Sequence, residues 1–232
     1  MTDCFLGDRY LITNDAGAEL FAAIADLPIL DPHNHADVAE IRRNQPYRDL
    51  WQAEAETDHY VWAALRSAGV DERLITGDAS PEEKWRAACA VWDDLAGNPT
   101  YEWVYLDLRR MLGIDDLLDA SNAGAVWQAA NARLHQDDSR PQALLKRMNV
   151  EAMGSTDDPC DDLADHRALR DDPNFPVKLL PTFRPDRLAY VEKEDWPAYV
   201  DRLEAVHGEP LNGAADVRAA LRQRHDYFAE LG

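Results

Sequence analysis

The chain has 232 residues, 46% of them hydrophobic, and its 44 acidic and 24 basic side chains give a formal net charge of −20. One domain is the default expectation at this length, and the apolar share is enough to fill a core. No basic stripe is present to meet phosphates, which argues against a nucleic-acid binder, and no run approaches the length of a membrane span.

Residues 16–27 place Leu20, Phe21, Ile24 and Leu27 at helical spacing. Pro28-Ile29-Leu30 then reads as a short strand leading into Asp31-Pro32-His33-Asn34-His35. Pro32 cannot donate to a sheet ladder and suits a strand end. Alternate side chains of a strand share a face, so His33 and His35 would aim two imidazoles at one point, as a metal site requires. The plain alternative is two solvated histidines in a turn.

From Ala36 to about Met148 the patterns are helical. Asp49-Leu50-Trp51 opens one helix and Asp58 to Ala68 carries another. Ser80-Pro81-Glu82-Glu83 is a strong helix start, with Ser at the N-cap, Pro at N1 and Glu at N3. Gly97-Asn98-Pro99 stops that helix. Tyr101 to Met111, ended by Gly113, is the next; Ser121 to His135 and the short Pro141 to Met148 follow.

Strand signals return at 150–156, running into Asp157-Asp158-Pro159, and at 177–183, running into Arg184-Pro185-Asp186. The helical segment Cys160 to Arg170 between them makes a β-α-β unit and favours parallel strands. Trp196 to His207 and Ala214 to Leu231 read as closing helices. Each strand ends in polar residues, as at the active rim of a barrel. Three strands cannot close one, so the sheet stays open or the chain is part of something longer.

Only Lys84, Lys146, Lys178 and Lys193 are lysines, and Asp outnumbers Glu by about two to one. An Asp-rich, Lys-poor surface repels itself unless salt screens it, which points to adaptation to high salt. Cys4, Cys89 and Cys160 are isolated and odd in number, neither a disulfide framework nor a zinc knuckle. The acidic start Met1-Thr2-Asp3-Cys4 carries no signal-peptide pattern. A cytoplasmic protein is expected.

Many motifs in order make the chain similar to the uronate isomerase (glucuronate isomerase) family of the metal-dependent amidohydrolase superfamily. They include Asp31-Pro32-His33-Asn34-His35, Thr57-Asp58-His59-Tyr60-Val61-Trp62, Ala68-Gly69-Val70, Gly97-Asn98-Pro99-Thr100-Tyr101-Glu102-Trp103, Gly154-Ser155-Thr156-Asp157-Asp158-Pro159 and Phe183-Arg184-Pro185-Asp186. The resemblance runs from about Asp8 to the last residue. It implies an α/β fold, a (β/α)8 TIM-barrel type that is here partial, with a helical insertion after the first strand. The expected division is 1–35 for the N-terminal helix and first strand, 36–148 for the insertion, and 149–232 for the second and third strands.

The implied reaction interconverts D-glucuronate and D-fructuronate, or D-galacturonate and D-tagaturonate, through an enediol. His33 and His35 would hold a divalent metal, zinc first and manganese second. Tyr60 would be a proton donor or stabiliser at a substrate oxygen, and His59 its hydrogen-bonding or acid/base partner and a substrate contact. Arg184 would grip the uronate carboxylate or a hydroxyl with its planar guanidinium. The plain alternatives are a packing tyrosine beside a solvated histidine, and an Arg184–Asp186 salt bridge. Asp157 and Asp158 equally make an ordinary turn. The seven tryptophans read as insertion core, Trp62 the least secure among them.

Family members are about twice this length, and their remaining metal ligand, an Asp late in the barrel, has no matching position here. Met1 reads as a natural start, and the end at Gly232 falls in mid-fold. A truncated product or fragment is therefore expected. Competing readings are a metal-dependent hydrolase of the same superfamily and an inactive half needing its complement. A homo-oligomer is an expected partner arrangement.

Overall fold

The structure, a computed structural model, describes residues 5–7 and 9–231. Cys4 and Asp8 lie outside the described residues. In chain order the main elements are α1 (Asp15–Ile24), β1 (Ile29–Asp31), α2 (Val38–Arg43), α3 (Leu50–Glu54), α4 (His59–Ser67), α5 (Pro81–Val91), α6 (Pro99–Leu112) and α7 (Ala123–Leu134). Then come α8 (Pro141–Arg147), β2 (Val150–Gly154), α9 (Ala164–Arg170), β3 (Lys178–Leu180), α10 (Asp186–Ala189), α11 (Trp196–His207) and α12 (Ala214–Ala229). The chain divides into two compact units: Met1–Asp26 with Gln45–Leu144, which is helical, and Leu27–Asn44 with Leu145–Gly232, which holds the sheet.

Local chemistry fixes the helices of the first unit. Asp49 and Asp58 accept backbone N–H groups at the starts of α3 and α4, relieving donors that a helix start leaves unpaired. At α5 the Ser80 side chain accepts from Glu83 N while Glu83 reaches back to Ser80 N, a full capping box. On α6, Thr100, Val104, Tyr105, Leu108 and Leu112 recur at helical spacing and are buried. Gly113 ends that helix at φ 73°, a conformation that costs any other residue more. These faces meet in one cluster built around Leu50, Trp51, Leu65, Trp85, Trp92 and Leu108. Trp85 Nε1 donates to Ala123 O at 3.0 Å and Leu50 N donates to Asn131 Oδ1 at 2.7 Å, whereas the buried Trp92 Nε1 in the same cluster has no hydrogen-bond partner.

The apolar stripe of α1 is present, but Leu20, Phe21 and Ile24 are exposed and no α1 residue is buried. Helical periodicity reports a face fit for burial, not the surface that covers it.

In the second unit the sheet is parallel, in the order β1-β2-β3. Leu30 pairs with Ala152 and Asp31 with Met153; Met153 pairs with Leu179 and Gly154 with Leu180. One face carries Met153 and Leu179 into a layer with Val38 and Ile41 of α2 and Leu169 of α9. On the other face Leu30, Ala152, Gly154 and Leu180 line an apolar cleft of about 580 Å³ that also includes Phe183 and Phe228. The strands are shorter than the sequence suggests. Their polar tails run on together, joined by an isolated parallel bridge between Asp157 and Phe183. Gly154 is required at this point: a Cβ there would lie 2.8 Å from Pro32 O and 3.0 Å from Thr182 Oγ1.

Candidate active site

Because the strands are parallel, the segments after β1, β2 and β3 emerge on one rim. His33 and His35 lie just past β1 rather than within it. The turn that holds them is built by side chains. The Asp31 carboxylate accepts from His33 N at 3.2 Å and from Asn34 Nδ2 at 3.1 Å. Asn34 N donates to Gly154 O at 3.1 Å, and Thr156 Oγ1 donates to Asn34 O at 2.7 Å. The two imidazoles are exposed, with ring centres 5.0 Å apart and planes at 84°.

That spacing suits a shared ion. Imidazole nitrogens at ~2.0–2.1 Å from zinc in a tetrahedral arrangement put the ring centres roughly 5 Å apart. Two nitrogens are only part of a donor set. Among the described residues no group of three or more His, Cys, Asp or Glu side chains could hold a metal.

Arg184 follows β3. Its Nε donates to Asp186 Oδ2 at 2.6 Å, and both side chains are close to half exposed. A guanidinium bound on one side this way keeps donors for a carboxylate. Arg184 N donates to Asp157 O at 3.0 Å, and Thr182 N donates to Asp157 Oδ2 at 3.1 Å. Behind this turn lies a buried polar cluster that the sequence does not announce. Ser155 Oγ is 2.6 Å from Asp157 Oδ2 and 2.7 Å from His166 Nε2. The available signal was the 155/157 alternation at the strand end. Nothing local placed His166, eleven residues on, beside it.

His59 and Tyr60 belong to the helical unit, on the first turn of α4, where Tyr60 N donates to Asp58 Oδ1 at 2.7 Å. Their rings lie 4.3 Å apart, tilted by 33°. Tyr60 is 56% exposed, so it is not a packing tyrosine. Its edge-on neighbour is Trp103, 6.0 Å away and 48% exposed. Trp62, by contrast, packs against the core and donates Nε1 to Ala55 O at 2.7 Å. Trp103 therefore departs from the core expectation, as does Trp196, which starts α11 in the sheet unit and lies outside the insertion. In the same unit, burial pushes the Glu54 carboxyl well above the usual carboxylate range, with Asp107 and Asp58 adding to it. Asp107, although its residue surface is open, has a carboxyl pushed up to about 6, chiefly by desolvation.

The sequence profile of the Glucuronate isomerase family matches residues 1–232. The chain belongs to that family. It is 42% identical over 228 residues to the uronate isomerase of Thermotoga neapolitana, covering 98% of this chain and 50% of that protein. With the uronate isomerase of Oceanobacillus iheyensis it shares 40% over 229 residues, 98% of this chain and 48% of the other. The crystal structure of the Thermotoga maritima uronate isomerase superposes with a TM-score of 0.93 at 42% identity, over 98% of this chain and 50% of that one. The glucuronate isomerase structure from Caulobacter crescentus gives 0.90 at 27% identity, over 97% and 50%. The chain thus spans about half the length of the curated relatives it matches. The fold class is α/β, three strands of a partial TIM-type barrel.

Proposed function

We propose that this chain carries the metal- and carboxylate-binding part of a uronate isomerase site, acting on D-glucuronate or D-galacturonate. The observation that carries the reading is the rim itself. A His33–His35 pair with ion-sharing spacing and the Arg184 guanidinium follow the first and third strands of one parallel sheet, in a chain matched throughout by the family. His33 and His35 would hold a divalent ion, zinc before manganese. Such an ion supplies stabilisation of negative charge at a sugar oxygen. Arg184 binds and orients the uronate carboxylate. Tyr60, with His59 against its ring, is the group of this chain suited to hold a proton at a substrate oxygen. The base that moves a proton between C2 and C1 is not among these residues.

We read the acid excess as adaptation to high salt and the compartment as the cytoplasm. Among the described residues Cys89 and Cys160 are free and buried, and burial pushes their thiols up to about 12 and about 11, so neither is poised for disulfide chemistry. No helix of the described residues is long and apolar enough to cross a membrane. Homo-oligomerisation is part of the same reading, and light scattering reads it directly.

The test is D-glucuronate with zinc and the purified chain in molar salt, followed by NMR in D2O. D-fructuronate resonances that disappear with Arg184→Ala support isomerisation by this chain. Unchanged sugar, with saturable broadening that depends on Arg184, restricts the chain to the binding role. No Arg184-dependent response of either kind overturns the reading.

A further inference from the structure

Beyond its last ladder residue, β2 runs on as Ser155-Thr156-Asp157, and this tail touches both candidate segments of the rim. On one flank it holds Asn34, between the two histidines, through Gly154 O and Thr156 Oγ1. On the other, Asp157 N donates to Thr182 O at 3.0 Å, Arg184 N donates to Asp157 O at 3.0 Å, and Thr182 N donates to the Asp157 carboxylate at 3.1 Å. Ser155, Asp157 and His166 are 1%, 9% and 5% exposed.

Proton bookkeeping orders this cluster. Ser155 Oγ has one proton and three neighbours: Asp157 Oδ2 at 2.6 Å, His166 Nε2 at 2.7 Å and Leu180 O at 3.2 Å. A carboxylate can only accept, so the closest contact takes the hydroxyl proton. The Ser155 oxygen must then accept from His166, which puts a proton on Nε2. Burial disfavours a second proton on that ring, against the pull of Asp157, Asp165 and Asp161 and with the help of Arg167. The result is a neutral Nε2–H imidazole donating to serine. A serine nucleophile works the other way round, giving its proton to the imidazole, and a serine 1% exposed leaves no room for a substrate.

We propose that Ser155, Asp157 and His166 are positioning residues. Their directed hydrogen bonds pin the Asp157 carboxylate on the Thr182 amide and so hold the Arg184 turn, while the same tail holds the His33–His35 turn through Thr156. The proposal rests on the reading above that those two turns bind uronate and metal.

The experiment uses the whole labelled chain in molar salt. Imidazole 15N shifts of His166 should show the neutral Nε2–H tautomer; an Nδ1–H tautomer overturns the ordering. Asp157→Asn should speed amide exchange at Thr182 and Arg184 by about tenfold or more, as loss of one charge-assisted bond implies, with exchange in α6 unchanged. His166→Gln, whose side-chain N–H can replace the Nε2–H, should keep the slow exchange and the glucuronate response, whereas His166→Leu should lose both at unchanged helical-unit stability. Equal behaviour of the Gln and Leu variants, or unaltered exchange in Asp157→Asn, overturns the proposal. A wild-type chain with no glucuronate response defeats the functional reading instead, and the tautomer and exchange results still decide the positioning role.

Discussion

In the helical unit Leu50, Leu65 and Leu108 are fully buried and Trp92 is 1% exposed, all in one continuous cluster. In the sheet unit Leu30 is 66% exposed and the buried residues fall into three smaller clusters. A helix pairs its own backbone, so a few capped helices can close a core among themselves. A parallel strand depends on its neighbours, and a three-stranded sheet keeps two edges. Three parallel strands therefore leave an open apolar face, while the helices α3 to α7 close a core among themselves and only α1 keeps its apolar stripe exposed.

Core truncations give the largest expected contrast. Leu108→Ala should cost about 2–5 kcal/mol in the helical unit, against less than ~0.5 kcal/mol for Leu30→Ala in the sheet unit. Six of the seven tryptophans lie in the helical unit, so Trp emission during urea unfolding reads the first effect. Equal losses would erase the distinction. Next comes Gly154→Ala, whose new methyl would press on Pro32 O and Thr182 Oγ1. It should cost roughly 1–3 kcal/mol and disturb the His33 and His35 resonances while leaving the Trp-monitored transition in place. Ser80→Ala, which removes the capping box, should lower that transition by ~1 kcal/mol and spare the sheet unit.

The smallest expected signal is a slope with pH. Glu54 and Asp107 have raised carboxyl values in the folded state, so the native chain binds more protons than the unfolded one between the ordinary carboxylate range and their raised values. Stability of the helical unit from these groups is full at low pH and falls as pH rises through their raised values, about 6 for Asp107. The Glu54→Gln, Asp107→Asn double variant should flatten that fall in urea midpoints measured from pH 4.5 to 7.5; an unchanged slope would assign it to surface repulsion.

Helix starts were the most legible part of the fold, because Asp49, Asp58 and Ser80 act on donors two or three residues away. The β-α-β order was legible for the same reason: apolar runs and turn residues are local. Element ends were less so, since β2 and β3 pass from ladder to polar tail without a change in periodicity. The small helix α2 escaped notice, although Asp37 caps it and Asn44 ends it at φ 48°. At the site, His33, His35, Tyr60 and Arg184 could be singled out through their motifs. Their supports could not. Thr156 meets Asn34 from 122 residues away, and His166 meets Ser155 from eleven, beyond the reach of one helical turn or strand repeat, and only the fold brings such pairs within hydrogen-bond reach.

Zinc titrated calorimetrically into the chain in molar salt, where surface carboxylates are screened, tests the central assignment most directly. The account predicts one saturable ion per chain in the wild type and its loss in the His33→Asn, His35→Asn double variant. Identical isotherms for the two proteins would contradict it.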